Sequence, residues 1–472
     1  MVGVVSRLEE AVAHVLPVNP VAGQEVSWPI ADRLREYNCP GVAIAVIDGG
    51  EVADAGGFGL KDADRGEAVA ADTMFAGASI SKPLAAVLAM QLVDQGRIGL
   101  DQPVNDYLTS WKLPDNAFTK EVPVTLRHLL CHKGGTTVHG FGAFPAGQTP
   151  PSNMDTLLGR PPSLTPAVVV DKVPGGSVRY SGGGTQIVQL LLEEQTGLEF
   201  ADLAEQRIFS PLGMTRSTFR QPLPETFHAY TASGHDKSGG LIKTRFTHTP
   251  QQAAGGVYTT APDYARFMVE MRNAWLGKPN ALMSQAAAQT MLTRQDPGQF
   301  ALGWELFGEG PGARFGHGGS NEGFQCNTTC LLEQGKGAVV LTNSLMGIIL
   351  YSEIINGVAR AYQWSSFFKD PKVIQIVPPE EHHRYVGRYR IVSGISAPHI
   401  DIWSENGQLH SFIEGLILPP RPIYMGQNGR FFTQQTASES AVTYDASGQA
   451  VELTAWAEGG VEILRAIRET ST

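Results

Sequence analysis

Ser79 and Lys82 stand three residues apart in the tetrad Ser79-Ile80-Ser81-Lys82. A serine hydroxyl is a poor nucleophile until a neighbouring base takes its proton. A lysine amine can be that base only where burial and neighbours lower its pKa. The residues that follow supply burial: Leu84, Val87, Leu88, Met90, Leu92 and Val93 leave almost no polar face, and Gly96 suits a C-terminal cap. The tetrad is therefore expected to open a buried helix of about four turns. There, positions i and i+3 share a face and the helix N-terminus favours the negative charge of an acyl oxygen under attack. The bland alternative is a serine cap followed by a surface lysine, but a helix this apolar gives a lysine no surface to reach.

Tyr180-Ser181-Gly182 lies between a Pro174-Gly175-Gly176 turn and a second apolar helix, expected over residues 185–195 and stopped at Gly197. A phenol beside a lysine ammonium loses its proton more readily and can relay protons between nucleophile and leaving group. The third group is His317, in FGHGGSNEGF (residues 315–324). Gly318 and Gly319 would let a substrate lie against an edge strand and pair with its backbone, with His317 facing the serine across a cleft. A loop tyrosine or a single histidine is ordinarily a packing residue; order and spacing after Ser79 mark Tyr180, and its place at the head of the glycine pair marks His317. His128, His132, His382 and His383 read as structural or solvent-exposed.

These groups need elements to hold them. Residues 41–49 form a Val- and Ile-rich run ending in the turn Asp48-Gly49-Gly50, a hairpin signal that opens a sheet. Strand patterns return after Gly303, and a third helix follows Asp263. The stretch from His132 to Tyr180 is rich in Gly, Pro, Ser and Thr and too long for a simple connection, so it is expected to cover a site. Phe141 and Phe144 within it are candidates for a substrate wall. A boundary follows Phe368-Lys369-Asp370-Pro371, because Pro378-Pro379 and Glu380-Glu381-His382-His383 end the helical region. Hairpin turns then recur at Asn406-Gly407, Asn428-Gly429 and Ser447-Gly448, which suggests about eight strands in an up-and-down barrel. Two domains follow from this, residues 1–375 and 380–472.

Bulk composition narrows the chemistry further. Lys and Arg number 36 against 46 Asp and Glu, a formal charge of −10 with no basic cluster, which argues against a nucleic-acid partner. The most apolar stretch, residues 337–355, is broken by Thr342, Asn343, Ser344, Ser352 and Glu353, so no membrane span is expected. Glu9 and Glu10 fall where a signal peptide needs an apolar core; the chain reads as cytoplasmic, or periplasmic or secreted if a leader has been removed. The four cysteines lack zinc-ligand spacing and read as small buried hydrophobes.

In order, S-x-x-K, Tyr-x-Gly and His-Gly-Gly resemble the motifs of the serine β-lactamase and penicillin-binding-protein superfamily: class C β-lactamases, D,D-peptidases and related esterases. TMFAGASISKPLAAVLAMQLVDQGRIGLDQPVNDYL, VTLRHLLCHKGG, YSGGGTQIVQLLLEEQTG, PLGMTRSTF, GGVYTTAPDYARFM and FGHGGSNEGF are similar to that family's segments in their order, over roughly residues 25–365. The resemblance implies an α+β fold: an antiparallel sheet flanked by helices plus an all-helical region, followed by a small antiparallel β-barrel similar to lipocalin-like domains of related peptidases. It implies Ser79 as the acylated nucleophile, Lys82 and Tyr180 sharing general-base and general-acid duty, His317 opposite, and an oxyanion hole from the backbone N–H groups of Ser79 and Ser320. No metal or cofactor is implied. Gly182, Gly318, Gly319, Phe141 and Phe144 would meet the substrate.

Two departures shape the expected activity. His317-Gly318-Gly319 stands where many members have Lys-Thr-Gly and is similar to the variant of D-aminopeptidases, certain peptidases and peptide-cyclising thioesterases. Gly182 stands where many have an asparagine that bonds the substrate's acylamide. The resemblance therefore implies cleavage of an amide bond in a short or unusual peptide. Carboxylesterase or transesterase activity and peptide-cyclising acyl transfer are the alternatives, and a scaffold without turnover is the non-enzymatic one. Small peptides or esters are the expected partners, and homo-oligomer formation is left open.

Overall fold

The computed structural model describes residues 6–145, 147–279, 282–395, 397–416, 418–457 and 462–469. They form two compact units, one from Ala31 to Tyr351, the other uniting the residues up to Ile30 with those from Ser352 onward.

The first unit carries a seven-stranded antiparallel sheet in the order Glu67–Ala68, Glu51–Asp62, Gly41–Asp48, Lys336–Thr342, Phe324–Leu331, Arg314–Asn321, Glu305–Phe307. Gly41–Asp48 and Lys336–Thr342 sit near its centre and are buried almost throughout, which is why both read as nearly unbroken apolar runs. Asp48 pairs with Glu51 across Gly49 and Gly50, whose φ values of 62° and 79° are the two left-handed conformations that a type I′ turn requires. At the far edge the strand Glu305–Phe307 reaches only residues 314–316 of its neighbour strand. Residues 317–321 therefore have Phe324–Leu331 on one side and no strand of the described residues on the other.

Helices Ser81–Asp94 and Gly182–Thr196 pack on each other and on the short helix Gln252–Gly255, while Ala261–Trp275 lies against the two central strands. Every residue from Ser81 to Leu92 is buried, the fate of a helix that is apolar all round. This helix begins at Ser81, two residues later than expected; Ser79 lies in the turn before it. The second helix begins at Gly182, three residues earlier than the apolar pattern starts, because its glycines carry no hydrophobic signal.

The second unit is a curled antiparallel sheet of ten strands, in the order Ile374–Gln375, Tyr424–Gly426, Phe431–Phe432, Glu439–Tyr444, Ala450–Trp456, Glu462–Arg468, Gly387–Gly394, His399–Glu405, Gln408–Ile413, Arg421–Pro422. The chain follows the up-and-down path expected from its turns, and Asn406-Gly407 again joins directly paired residues, Glu405 and Gln408. Closure is interrupted. Arg421–Pro422 pairs with Gln408–Ile413, whereas Tyr424–Gly426, one residue on, pairs with Phe431–Phe432. Pro422 has no N–H to give the ladder, so the barrel opens into a half-barrel there.

The N-terminal segment is fastened to this sheet. Val18 and Asn19 N–H donate to the Gln434 carbonyl (2.7 and 3.1 Å), and the Asn19 amide donates to the carbonyls of Thr433 (2.7 Å) and Thr436 (2.6 Å). No helix among the described residues is long and apolar enough to cross a membrane.

Candidate active site

Ser79 follows the strand Phe75–Ala78 through a turn in which Ala78 takes a left-handed φ of 49° and Ile80 N–H bonds the Gly77 carbonyl at 3.2 Å. A non-glycine residue there costs about 1–3 kcal/mol, so the surroundings must impose it. Ser81 does much of this: its Oγ donates to Ala78 O (2.6 Å) and accepts from Val257 N–H (3.0 Å) on the paired strand Val257–Thr259. Tyr264 OH, on Ala261–Trp275, holds the Ile80 carbonyl at 2.9 Å. Ser81, two places after Ser79, thus builds the turn that presents Ser79.

Lys82 Nζ lies 2.9 Å from Ser79 Oγ and 2.6 Å from Ala254 O. As a neutral amine it can keep an N–H on Ala254 and turn its lone pair to the serine. Burial holds its pKa down to about 7, against a smaller upward pull from Glu305. Its ammonium lies 4.8 Å from the centre of the Tyr180 ring. Burial raises the Tyr180 phenol well above its usual value, and a hydrogen bond with Ser79 only partly offsets this. The expectation that the lysine makes this phenol acidic is not met: burial dominates, so Tyr180 rests protonated.

His317 is 3% exposed. Its backbone N–H donates to Thr328 Oγ1 (3.1 Å), and its Nδ1 lies 2.6 Å from Gly318 O. A carbonyl only accepts, so Nδ1 carries the proton and Nε2 is left as a buried acceptor without a partner. Burial, and then the Lys82 charge, lower its pKa to about 3. Where a Lys-Thr-Gly site would present a cation, this one presents a neutral ring.

Ser79, Lys82, Phe141, Tyr180, Gly182, His317, Gly318, Gly319 and Ser320 all line one cleft of about 590 Å³. Phe144 is a correction. It is 2% exposed and does not line the cleft: its N–H bonds His248 O at 2.7 Å and its ring meets the His248 ring edge-on at 5.8 Å, so a large apolar side chain in a polar loop serves as the loop's anchor.

Glu305, His139 and His132 are among the residues of the site that no sequence motif marks. Glu305 lines the cleft from the edge strand, its pKa pushed up to about 7 by burial against a hydrogen bond from Gln299 and the nearby Lys82. His139 also lines it, 5.0 Å from the Tyr180 ring centre. His132, read as structural or exposed, packs its ring tilted against that of Tyr180, 4.3 Å between centres, and accepts the Ser181 N–H at Nδ1 (3.2 Å); burial and then Lys82 hold its pKa well below the usual range. Isolated residues without a motif give no signal of this in sequence. Among the described residues no cluster of three or more His, Cys, Asp or Glu is placed to hold a metal ion.

A serine beside a buried lysine, a protonated phenol and an open strand edge is an arrangement that could support acyl transfer, and comparisons with known proteins place the chain in a family. Penicillin-binding protein 4 of Amycolatopsis lactamdurans is 26% identical over 343 residues, 68% of this chain and 86% of that protein. The octameric penicillin-binding protein homologue from Pyrococcus abyssi superposes with a TM-score of 0.63 at 21% identity, covering 93% of this chain and 98% of that one. The D-amino acid amidase of Ochrobactrum anthropi SV3 gives 0.58 at 22% identity over 76% and 99%. The Beta-lactamase family model matches residues 29–347, more than half of the sequence, and the chain accordingly belongs to that family and is a serine hydrolase of the β-lactamase and penicillin-binding-protein fold.

Proposed function

We propose that this enzyme cleaves an amide bond of a short or unusual peptide through an acyl-enzyme on Ser79. The observation that carries the reading is the contact of 2.9 Å between Lys82 Nζ and Ser79 Oγ, with the lysine buried and its pKa near 7. Neutral Lys82 takes the serine proton as Oγ bonds the scissile carbonyl carbon. General-base help of this kind contributes about 10²–10⁴ in rate. The carbonyl oxygen, now negative, is received by the backbone N–H groups of Ser79 and Ser320, each such donor contributing on the order of 10²–10³. Tyr180 delivers its proton to the leaving nitrogen as the C–N bond breaks and regains one from Lys82. Water then attacks the acyl carbon by the same route in reverse, releasing the acid and Ser79.

The charges favour an amide substrate without a free terminal carboxylate beside the scissile bond. Lys82 is the only Lys or Arg among the described residues lining the cleft, and both its contacts are taken. The D-amino acid amidase among the structural neighbours supports the same class.

The test is a fluorophosphonate probe on the wild type and on Ser79→Ala, read by intact mass and peptide mapping, then a panel of peptide amides, including D-residue ones, and esters. Labelling of Ser79 and amide turnover, both lost in the variant, are expected. A wild type that resists the probe and the whole panel sinks the reading, and turnover of esters alone moves it to an esterase.

A further inference from the structure

The three glycines after Ser181 have a structural reason. Thr137, Val138 and His139 run across the N-terminus of helix Gly182–Thr196: the N–H of Gly182 bonds His139 O at 2.9 Å, that of Gly183 bonds Val138 O at 3.0 Å, and Ser181 Oγ donates to Thr137 O at 2.7 Å. Side chains at Gly183 and Gly184 would collide with this approach, and one at Gly182 would crowd it. A Cβ at Gly183 would lie 2.7 Å from Thr137 O, and one at Gly184 2.8 Å from Thr136 Oγ1. At Gly182 it would lie 3.0 Å from Phe141 Cε2 and 3.2 Å from His139 O. The segment is thus fastened one residue after Tyr180, and the Phe141 ring occupies the room a side chain at 182 would need, facing the cleft.

We propose that Phe141, seated over Gly182, is the specificity-determining residue of the acyl side, selecting donors whose acyl group carries an apolar, preferably aryl, substituent. This rests on Ser79 as the acylated nucleophile. After the leaving group departs, the tethered acyl group is what must fit between Ser79, the strand edge at residues 317–320 and the wall made by Tyr180 and Phe141. At this wall the enzyme offers the Phe141 ring and, from position 182, no side-chain hydrogen-bonding group, so an aryl or alkyl group placed there gains apolar contact that a polar acylamide does not.

The experiment compares p-nitrophenyl acetate with p-nitrophenyl phenylacetate, which share a leaving group, and reads Ser79 acylation by p-nitrophenolate release and intact mass, with Ser79→Ala as blank. Wild type should acylate faster with phenylacetate. Phe141→Ala should lower the phenylacetate-to-acetate ratio about tenfold, the usual scale for an apolar pocket contact. Phe141→Leu should restore most of the ratio, and Gly182→Ala, which crowds the ring, should lower it. A ratio unchanged in Phe141→Ala, or one no better in Phe141→Leu, overturns the proposal. So does an effect on phenyl against p-nitrophenyl acetate, where only the leaving group varies. If Ser79 is acylated by both esters yet the ratio ignores Phe141, only this inference fails; if neither ester nor the fluorophosphonate acylates Ser79, the reading of the nucleophile fails with it.

Discussion

Lys82 and Glu305 are the cation and the carboxylate of one cleft, and each shifts the other. Burial lowers Lys82 and raises Glu305, while the charge of each opposes the shift of its partner; both come to about 7. Proton abstraction from Ser79 needs neutral Lys82, so acylation should rise with pH as Lys82 loses its proton, through about pH 7. The sign for a variant follows. Ionised Glu305 stabilises the ammonium, so Glu305→Gln removes an upward pull and Lys82 falls further. The rising limb should move to lower pH, and each unit of movement would raise labelling at pH 6 up to about tenfold. Second-order rates of Ser79 labelling from pH 5 to 9 would check this; a limb that stays in place or moves to higher pH refutes the role assigned to the pair.

Elements explain which parts of the site were legible before the structure. S-x-x-K and Tyr180 precede a buried helix and a capped helix, and His317 lies within an edge strand, so the elements were legible from their patterns, while it was the family resemblance that implied that the three meet in one site. The paired glycines were read only as room for a substrate. In the fold they differ: a Cβ on Gly318 would have nothing nearer than 3.8 Å, whereas one on Gly319 would lie 2.2 Å from Gly77 O and 2.5 Å from Cys326 Sγ. Gly319 lets the strand at residues 314–321 touch the turn that presents Ser79, a backbone contact between distant segments that no local pattern encodes. Gly319→Ala should therefore destabilise the protein by about 1–3 kcal/mol and, by shifting strand against turn, slow acylation by up to about a hundredfold. Gly318→Ala should keep the stability of the wild type. Urea denaturation together with labelling rates tests both, and equal effects from the two alanines would show that the contact is not what positions the site.

For the whole molecule, the turn spacing gave the curled sheet but not what completes it, because residues 17–22 have neither helical nor strand period and their partners lie more than 300 positions away. Asn19 shows the physics. It is 2% exposed, its amide nitrogen donates to Thr433 O and Thr436 O, and its backbone bonds Gln434 O. Substitution by alanine removes the donor from the buried bond to Thr433 O and the part-buried bond to Thr436 O, a loss of about 1–3 kcal/mol. Because these bonds lie within the unit that unites the N-terminal segment with the residues from Ser352 onward, the loss should be local to it. Hydrogen exchange of Asn19→Ala should show faster exchange at residues 431–440 and in the adjoining strands. The helix Ser81–Asp94 should keep its protection and Ser79 its labelling rate. Exchange rising equally in both units would mean that they unfold as one cooperative body, and unchanged exchange at 431–440 would mean that the N-terminal segment does not stabilise the sheet it is bonded to.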